Sequence, residues 1–160
     1  MDLAQAVREV VADYESAGVV GPNQIALRAA GPVTGVWDPI RIEQVITNLV
    51  SNAIKYGRGR PIEVVVDEAE SGQAAQNRDG MLHARLEILD HGLGIEKDMI
   101  ERIFDPFQRA ASGKRIQGLG LGLFVVKSIV EAHGGTIRVT SQSDCGSRFV
   151  VDLPQRSPDC

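Results

Sequence analysis

The sequence is poor in cysteine and aromatic residues, carries no basic excess, and has no long apolar run. The two cysteines, Cys145 and Cys160, make neither a disulfide framework nor a metal-ligand spacing, and a reducing cytoplasm suits them best. Aromatic residues are only 4% of the chain, which argues against a platform for stacking single-stranded bases. A formal net charge of −4 excludes a general nucleic-acid-binding surface. Lys127 interrupts the best candidate for an apolar span and no signal peptide is present, so no membrane contact is expected of this segment. Neither standard phosphate fingerprint occurs. Gly118, Gly120 and Gly122 read G-x-G-x-G rather than G-x-G-x-x-G, and there is no G-x-x-x-x-G-K-[ST]. What remains is a 160-residue chain, 43% apolar and 24% charged, of a size for one soluble globular domain with a real core.

One stretch organises the chain: Asn48-Leu49-Val50-Ser51-Asn52-Ala53-Ile54-Lys55-Tyr56. It closes a helix expected over Pro39 to Tyr56, with Asp38 as N-cap and Pro39 at the first helical position. Ile42, Val45, Ile46, Leu49, Ala53 and Ile54 recur at helical spacing and make one apolar face. Asn48 and Asn52 stand one turn apart, and Lys55 lies near the same face. That group is either a polar outer face or part of a site. Upstream, Asp2 to Glu15 reads as an amphipathic helix capped by Asp2, followed by a turn over Ala17 to Asn23. Strands are expected at Gln24 to Ala29, Val36-Trp37, Ile62 to Val66 and Met81 to Leu89, the last ending at Asp90. Glu68 to Gly80 is small and polar and reads as a long, tolerated connection.

Asp90-His91-Gly92-Leu93-Gly94-Ile95 is either a plain turn before a helix starting near Glu96, or a site. As a site, its two glycines let the backbone lie against a planar ligand, and Asp90 offers an acceptor for an exocyclic amine. Ile103-Phe104-Asp105-Pro106-Phe107 fits local core. Gln108 to Gln117, with Arg109, Lys114 and Arg115, is a solvated linker or a mobile lid over anions. Gly118-Leu119-Gly120-Leu121-Gly122-Leu123 opens a helix that runs to His133 and stops at Gly134-Gly135. Bare glycines at a helix start suit phosphate, although alone the motif is weak. Thr136 to Ser141 and Arg148 to Leu153 read as a closing pair of strands, turned at Asp144-Cys145-Gly146.

Together, in this order, N-L-V-S-N-A-I-K-Y, D-H-G-L-G-I, F-D-P-F and G-L-G-L-G-L resemble the N, G1, F and G2 boxes of sensor histidine kinases. H-G-G-T-I-R-V-T-S and G-S-R-F-V-V-D-L-P resemble that family's terminal strands. The resemblance covers nearly the whole chain and points to the catalytic ATP-binding domain (HATPase_c) of the GHKL, or Bergerat-fold, superfamily. It implies an α/β (α+β) two-layer sandwich, a mixed sheet covered on one face by three main helices. It implies ATP and Mg2+ as cofactors. By this resemblance Asn52 ligates the magnesium, and Asn48 lies close to the phosphates and the metal-bound water. Lys55 reaches phosphate oxygens, Tyr56 packs beside the base, and Asp90 accepts from the adenine amine. Gly92 and Gly94 make room for the base and Ile95 lines the pocket. Phe107 belongs to the F box, and Arg109 approaches the γ-phosphate. Gly118, Gly120 and Gly122, with Leu119, Leu121 and Leu123 between and after them, form the lid hinge and phosphate cradle. Ser147 falls where relatives carry Thr or Ser near the adenine.

The resemblance also exposes an absence. The family phosphorylates a histidine in a motif like H-E-x-R-T-P, and none of His83, His91 and His133 has that context. All three read as structural or solvent-facing. Residues 1–160 therefore read as one catalytic ATP-binding domain, whose dimerisation and histidine-phosphotransfer domain, sensor and response regulator lie elsewhere. Two other classes are set beside this reading: a stand-alone anti-sigma-type serine kinase, and a nucleotide-binding module without catalysis. Intact Asn52, Asp90 and G2 glycines argue against the last.

Overall fold

In the computed structural model the described residues are 1–69, 82–107 and 120–155. They form three helices and five strands: α1 (Leu3–Ser16), β1 (Ile25–Ala29), α2 (Pro39–Tyr56), β2 (Ile62–Ala69), β3 (His83–Asp90), α3 (Gly122–Ala132), β4 (Thr136–Gln142) and β5 (Gly146–Pro154). The sheet order is β1-β2-β3-β5-β4. β1 and β2 run parallel and the other neighbours antiparallel, so the sheet is mixed, as expected.

Alternation along the strands sends one set of residues inward. Ile62, Val64 and Val66 of β2, Leu86 and Ile88 of β3, and Phe149, Val151 and Leu153 of β5 are buried. They meet the apolar stripes of α1 (Leu3, Val7, Val10), α2 (Ile42, Ile46, Leu49) and α3 (Val126, Ile129, Val130) in one core. The other sheet face carries charge instead. Asp152 of β5 accepts from Arg85 of β3 at 2.6 Å and from Arg138 of β4 at 2.7 Å. Arg148 donates to Glu87 at 2.6 Å, and Arg28 pairs with Glu63. Side chains of this kind keep a sheet face wet, so no second helical layer is called for.

α2 has the bounds read from its caps. The Asp38 carboxylate accepts from the Ile40 and Arg41 N–H groups, and Pro39 occupies the first turn. α1 begins after Asp2, whose carboxylate accepts from Ala4 N–H and also from Val33 N–H. That second bond ties the helix start to a distant loop.

Four local expectations are corrected. Val36-Trp37 is not a strand. Instead Val36 N–H donates to Gln155 O at 3.0 Å, and the buried Trp37 indole N–H donates to Pro154 O at 2.7 Å. The segment is held by an anchor rather than by a ladder. No helix starts near Glu96. Successive three-residue turns replace it, closed by Met99 N–H to Glu96 O, Arg102 N–H to Met99 O and Asp105 N–H to Arg102 O. α3 begins at Gly122, after Gly120, whose φ of +70° is not helical. β2 extends to Ala69, into the stretch read as connection. The rest of that connection, 70–80, and Met81, read as the start of the next strand, lie outside the described residues.

The N-terminal end of α2 is thus pinned to the C-terminal end of β5, and Asp38 N–H also donates to His133 Nε2 at 3.2 Å, beyond α3. This fixes the register of the helix that carries Asn48 and Asn52. Trp37→Phe keeps an aromatic ring but strands the Pro154 carbonyl. It should lower stability by about 1–3 kcal/mol. Urea unfolding of the two proteins checks this; equal midpoints would show that the indole hydrogen bond contributes nothing.

Candidate functional site

The last two turns of α2, the end of β3, the start of β5 and the start of α3 surround a cleft enclosing about 700 Å³, part of it open to solvent. Its lining includes Asn52 and Tyr56 from α2, Asp90, Gly94 and Ile95 from β3 and its loop, Gly120, Gly122 and Leu123 around the start of α3, and Ser147 from β5. All nine belong to the set read from sequence. Ile103 and Phe149 line it too, and sequence reasoning missed them. Phe149 was legible as an inward position of a terminal strand. Ile103 was read as local core, which it also joins, and nothing in its segment marked it as facing a cleft.

Asp90 is 4% exposed, at the end of an otherwise apolar inward row of β3. Burial pushes its carboxyl above the ordinary value, while N–H groups of Gly92 and Ser147 and the nearby His91 act in the opposite direction. The Gly92 N–H donates to Asp90 Oδ1 at 2.9 Å. Asp90 pairs with Ser147 across the strands, and Ser147 with Ser141. These three residues form one polar row over β3, β5 and β4. Ser141 was not read as a site residue. Its signal was the inward alternation of Ile137, Val139 and Ser141.

The loop after Asp90 is fastened on two sides. Leu93 N–H donates to Tyr56 O at 3.0 Å, and Asp144 N–H donates to Leu93 O at 2.7 Å. The glycines have a different reason from the one expected. A Cβ on Gly92 would stand 1.8 Å from Tyr56 O, and one on Gly94 would stand 2.0 Å from Gln142 O. Both spaces are taken by backbone of the protein rather than kept for a planar ligand. Gly94 also has φ +68°, which side chains rarely adopt.

The remaining predicted residues lie around the cleft. Asn48 is half-buried, and its Oδ1 would be 3.3 Å from a Cβ on Gly122, so α2 and the start of α3 touch there. Lys55 is exposed on the same helix. Gly92 is buried under its loop. Leu121 is the N-cap of α3 and provides no side-chain cap. Phe107 does not line the cleft. It is 70% exposed with φ +63°, and its N–H donates to Gly120 O at 3.0 Å. The local-core reading holds for Phe104, which packs against the core. Arg109, Lys114, Arg115, Gly118 and Leu119, and with them the lid expectation for 108–117, lie outside the described residues.

Among the described residues there is no cluster of three or more His, Cys, Asp or Glu. The donor set fits magnesium only in one manner. Asn52 would offer a hard amide oxygen, with phosphate oxygens and water supplying the other ligands. Among the described residues no helix is long and apolar enough to cross a membrane.

Comparison with known proteins bears on family and fold. Residues 37–157 match the family described as histidine kinase-, DNA gyrase B-, and HSP90-like ATPase. The chain belongs to that family. It is 39% identical over 125 residues to the sensor protein SrrB of Staphylococcus aureus, a match covering 75% of this chain and 20% of that protein. The chain therefore spans about a fifth of the length of the curated relatives it matches. The mycobacterial sensor histidine kinase MprB superposes with a TM-score of 0.74 at 26% identity, covering 98% of each chain. Full-length ShkA, solved in complex with AMPPNP, gives 0.72 at 24% identity over 96% of this chain and 30% of that one, a likeness of fold.

Asp90 supplies a prediction with a definite sign. Its folded-state pKa lies above its ordinary 3.8, so folding favours the protonated form. Its contribution to stability therefore grows as pH falls through the raised value toward 3.8. Asp90→Asn removes the buried charge and keeps an oxygen for the Gly92 N–H. The variant without ligand should be at least as stable as the parent near neutral pH, with an advantage that shrinks toward about pH 4. Thermal melts across pH check this. An advantage that widens on acidification would mean that the carboxylate is favoured by folding.

Proposed function

We propose that this chain is the ATP-binding, phosphoryl-donating domain of a sensor histidine kinase in two-component signal transduction. It would bind Mg-ATP and pass the γ-phosphate to a histidine on a separate dimerisation helix of the parent kinase. That domain is its direct partner and a cognate response regulator its indirect one, with the cytoplasm as its compartment. The observation that carries the reading is a buried carboxylate, Asp90, in one cleft with the Asn52 amide and the side-chain-uncapped start of α3.

Each residue then has a task. Asp90 accepts from the adenine amine. Ile95, Tyr56 and Leu123 pack against the base or ribose, and Ser147 lies beside Asp90 in the same polar row. N–H groups at the start of α3, with Gly120 and Gly122, receive phosphate oxygens. Asn52 holds the metal, whose chemistry is to neutralise the charge of the phosphate chain. Lys55 and Arg109 add positive charge at the γ-phosphate.

Asn48 decides what the site does with that phosphate. An asparagine amide does not act as a general base near neutral pH, so water is poorly activated there. A neutral imidazole needs no such base. Its nitrogen attacks the γ-phosphorus in line, and the bond to the β,γ-bridging oxygen breaks to leave ADP. Positioning and charge neutralisation supply the rate.

Two measurements test the proposal. Titration calorimetry should give ATP and ADP affinities on the order of tens of micromolar with magnesium, and much weaker GTP binding. Equal ATP and GTP affinities would remove the role of Asp90. Mixed with the parent's dimerisation domain and radiolabelled ATP, the chain should label the partner with acid-labile phosphate, and Asn52→Ala should abolish it. Acid-stable label would indicate a serine kinase. Fast ATP turnover by the chain alone, without labelled partner, would make it an ordinary ATPase and refute the role given to Asn48.

A further inference from the structure

The polar row Asp90–Ser147–Ser141 contains a hydrogen-bond arrangement whose direction is fixed by counting protons. Ser141 Oγ lies 2.8 Å from Gly146 O. A carbonyl only accepts, so the Ser141 hydroxyl proton is committed to it. Ile95 N–H donates to Ser141 Oγ at 2.8 Å. The third neighbour of that oxygen is Ser147 Oγ, at 2.9 Å. Ser141 has no second proton, so in this contact Ser147 must be the donor. Ser141 then donates once and accepts twice, which saturates a hydroxyl. Ser147, only 6% exposed and lining the cleft, has spent its one proton and presents lone pairs alone.

We infer that Ser141 is a positioning residue for base selection: by taking the proton of Ser147 it leaves the cleft's polar row with acceptors only, so the site takes a purine whose edge brings hydrogens there and rejects one that brings a carbonyl. This rests on the nucleotide reading above and adds to it a residue that does not line the cleft. Asp90, when ionised, is likewise an acceptor, with backbone N–H groups already bound to it. An amine satisfies two neighbouring acceptors. A carbonyl oxygen in its place faces lone pairs and leaves buried groups unpaired, which is how a polar site discriminates strongly. Ser141 reaches the ligand through the hydroxyl of Ser147. Its bond to Ile95 N–H also couples the direction of that hydroxyl to the loop that follows Asp90.

The test compares ATP with inosine triphosphate, in which a carbonyl replaces the exocyclic amine. Affinities are measured by calorimetry on the full chain with magnesium. The parent should prefer ATP. In Ser141→Ala the Ser147 hydroxyl is released and free to donate, so the ATP-to-ITP affinity ratio should fall about tenfold. Ser141→Thr keeps the hydroxyl and should restore the ratio. A Ser141→Ala chain that weakens both nucleotides equally would overturn the inference, because loosening of the loop alone has no preference between bases. Ser147→Ala gives a second route that leaves the Ser141 bonds to Ile95 and Gly146 in place. It should weaken ATP several-fold and spare ITP. Equal loss of both would show that Ser147 donates after all, and would also overturn the inference. A parent chain that binds neither nucleotide would instead refute the nucleotide reading, and this inference with it. A parent that binds ATP tightly while the ratio ignores Ser141 refutes only the inference.

Discussion

A carboxylate buried at the end of an apolar strand face is the constraint on which the cleft depends. Asp90 follows Leu86 and Ile88 on the inward side of β3, where water is excluded and an ion is costly. It is tolerated because backbone donors converge on it. The Gly92 N–H reaches it only if the chain turns back at once, and that turn drives Gly92 against the Tyr56 carbonyl. Only a residue without Cβ fits there. The same turn brings Leu93 N–H onto Tyr56 O and Leu93 O under Asp144 N–H. One buried charge thereby accounts for a glycine, for the docking of α2 against β3, and for the seating of the β4–β5 turn. Its cost persists until something with hydrogens occupies the cleft, so the site is poised for a donor.

α2 serves two purposes along one length. Its first part belongs to the core, through Ile42, Val45 and Ile46, and its start is pinned by Asp38, Trp37 and His133. Its last turns keep the apolar seam through Leu49 and Ala53 while turning Asn52 and Tyr56 into the cleft. Helical periodicity makes this possible, since residues three or four apart share a face. A rigid helix anchored at one end holds the side chains that line the cleft at its other end more precisely than a loop would.

The parts of the fold legible in sequence are those set by strong local chemistry. Asp38-Pro39 and the spacing of Ile42 to Ile54 give the bounds of α2 directly. The closing pair of strands was also legible, from the runs Thr136 to Ser141 and Arg148 to Leu153 on either side of the turn at Asp144-Cys145-Gly146. Misreadings occurred where tertiary contacts override local preference. Val36-Trp37 has strand-like residues, yet the indole N–H finds Pro154 and no ladder forms. Residues after Ile95 have helical composition, but the chain closes in three-residue turns there. Gly92 and Gly94 were recognised as special for the wrong neighbour, since a sequence does not show that the Tyr56 and Gln142 carbonyls fill the space. Nine of the cleft residues were found through motif resemblance. Ser141 was missed because it does not line the cleft itself and meets it through Ser147 and the Ile95 N–H.

The two ends of the cleft differ in burial and in polar character. Around Asp90 and Ser147 the side chains are almost fully buried, with Gly92 N–H on Asp90 Oδ1 and the Ser141 hydroxyl beside that of Ser147. Toward Asn48 and Lys55 exposure rises, and the start of α3 is left without a side-chain cap. On the proposed reading, recognition of the base occurs where water is excluded and hydrogen bonds discriminate most. Phosphates would lie where a second polypeptide can approach. A hydrolase gains from enclosing its phosphate with a positioned water and a base. A donor to another protein needs that end accessible and needs water to be a poor competitor. On that reading an amide at Asn48, which is no general base near neutral pH, would meet the second need, and the exposed end of α2 would meet the first.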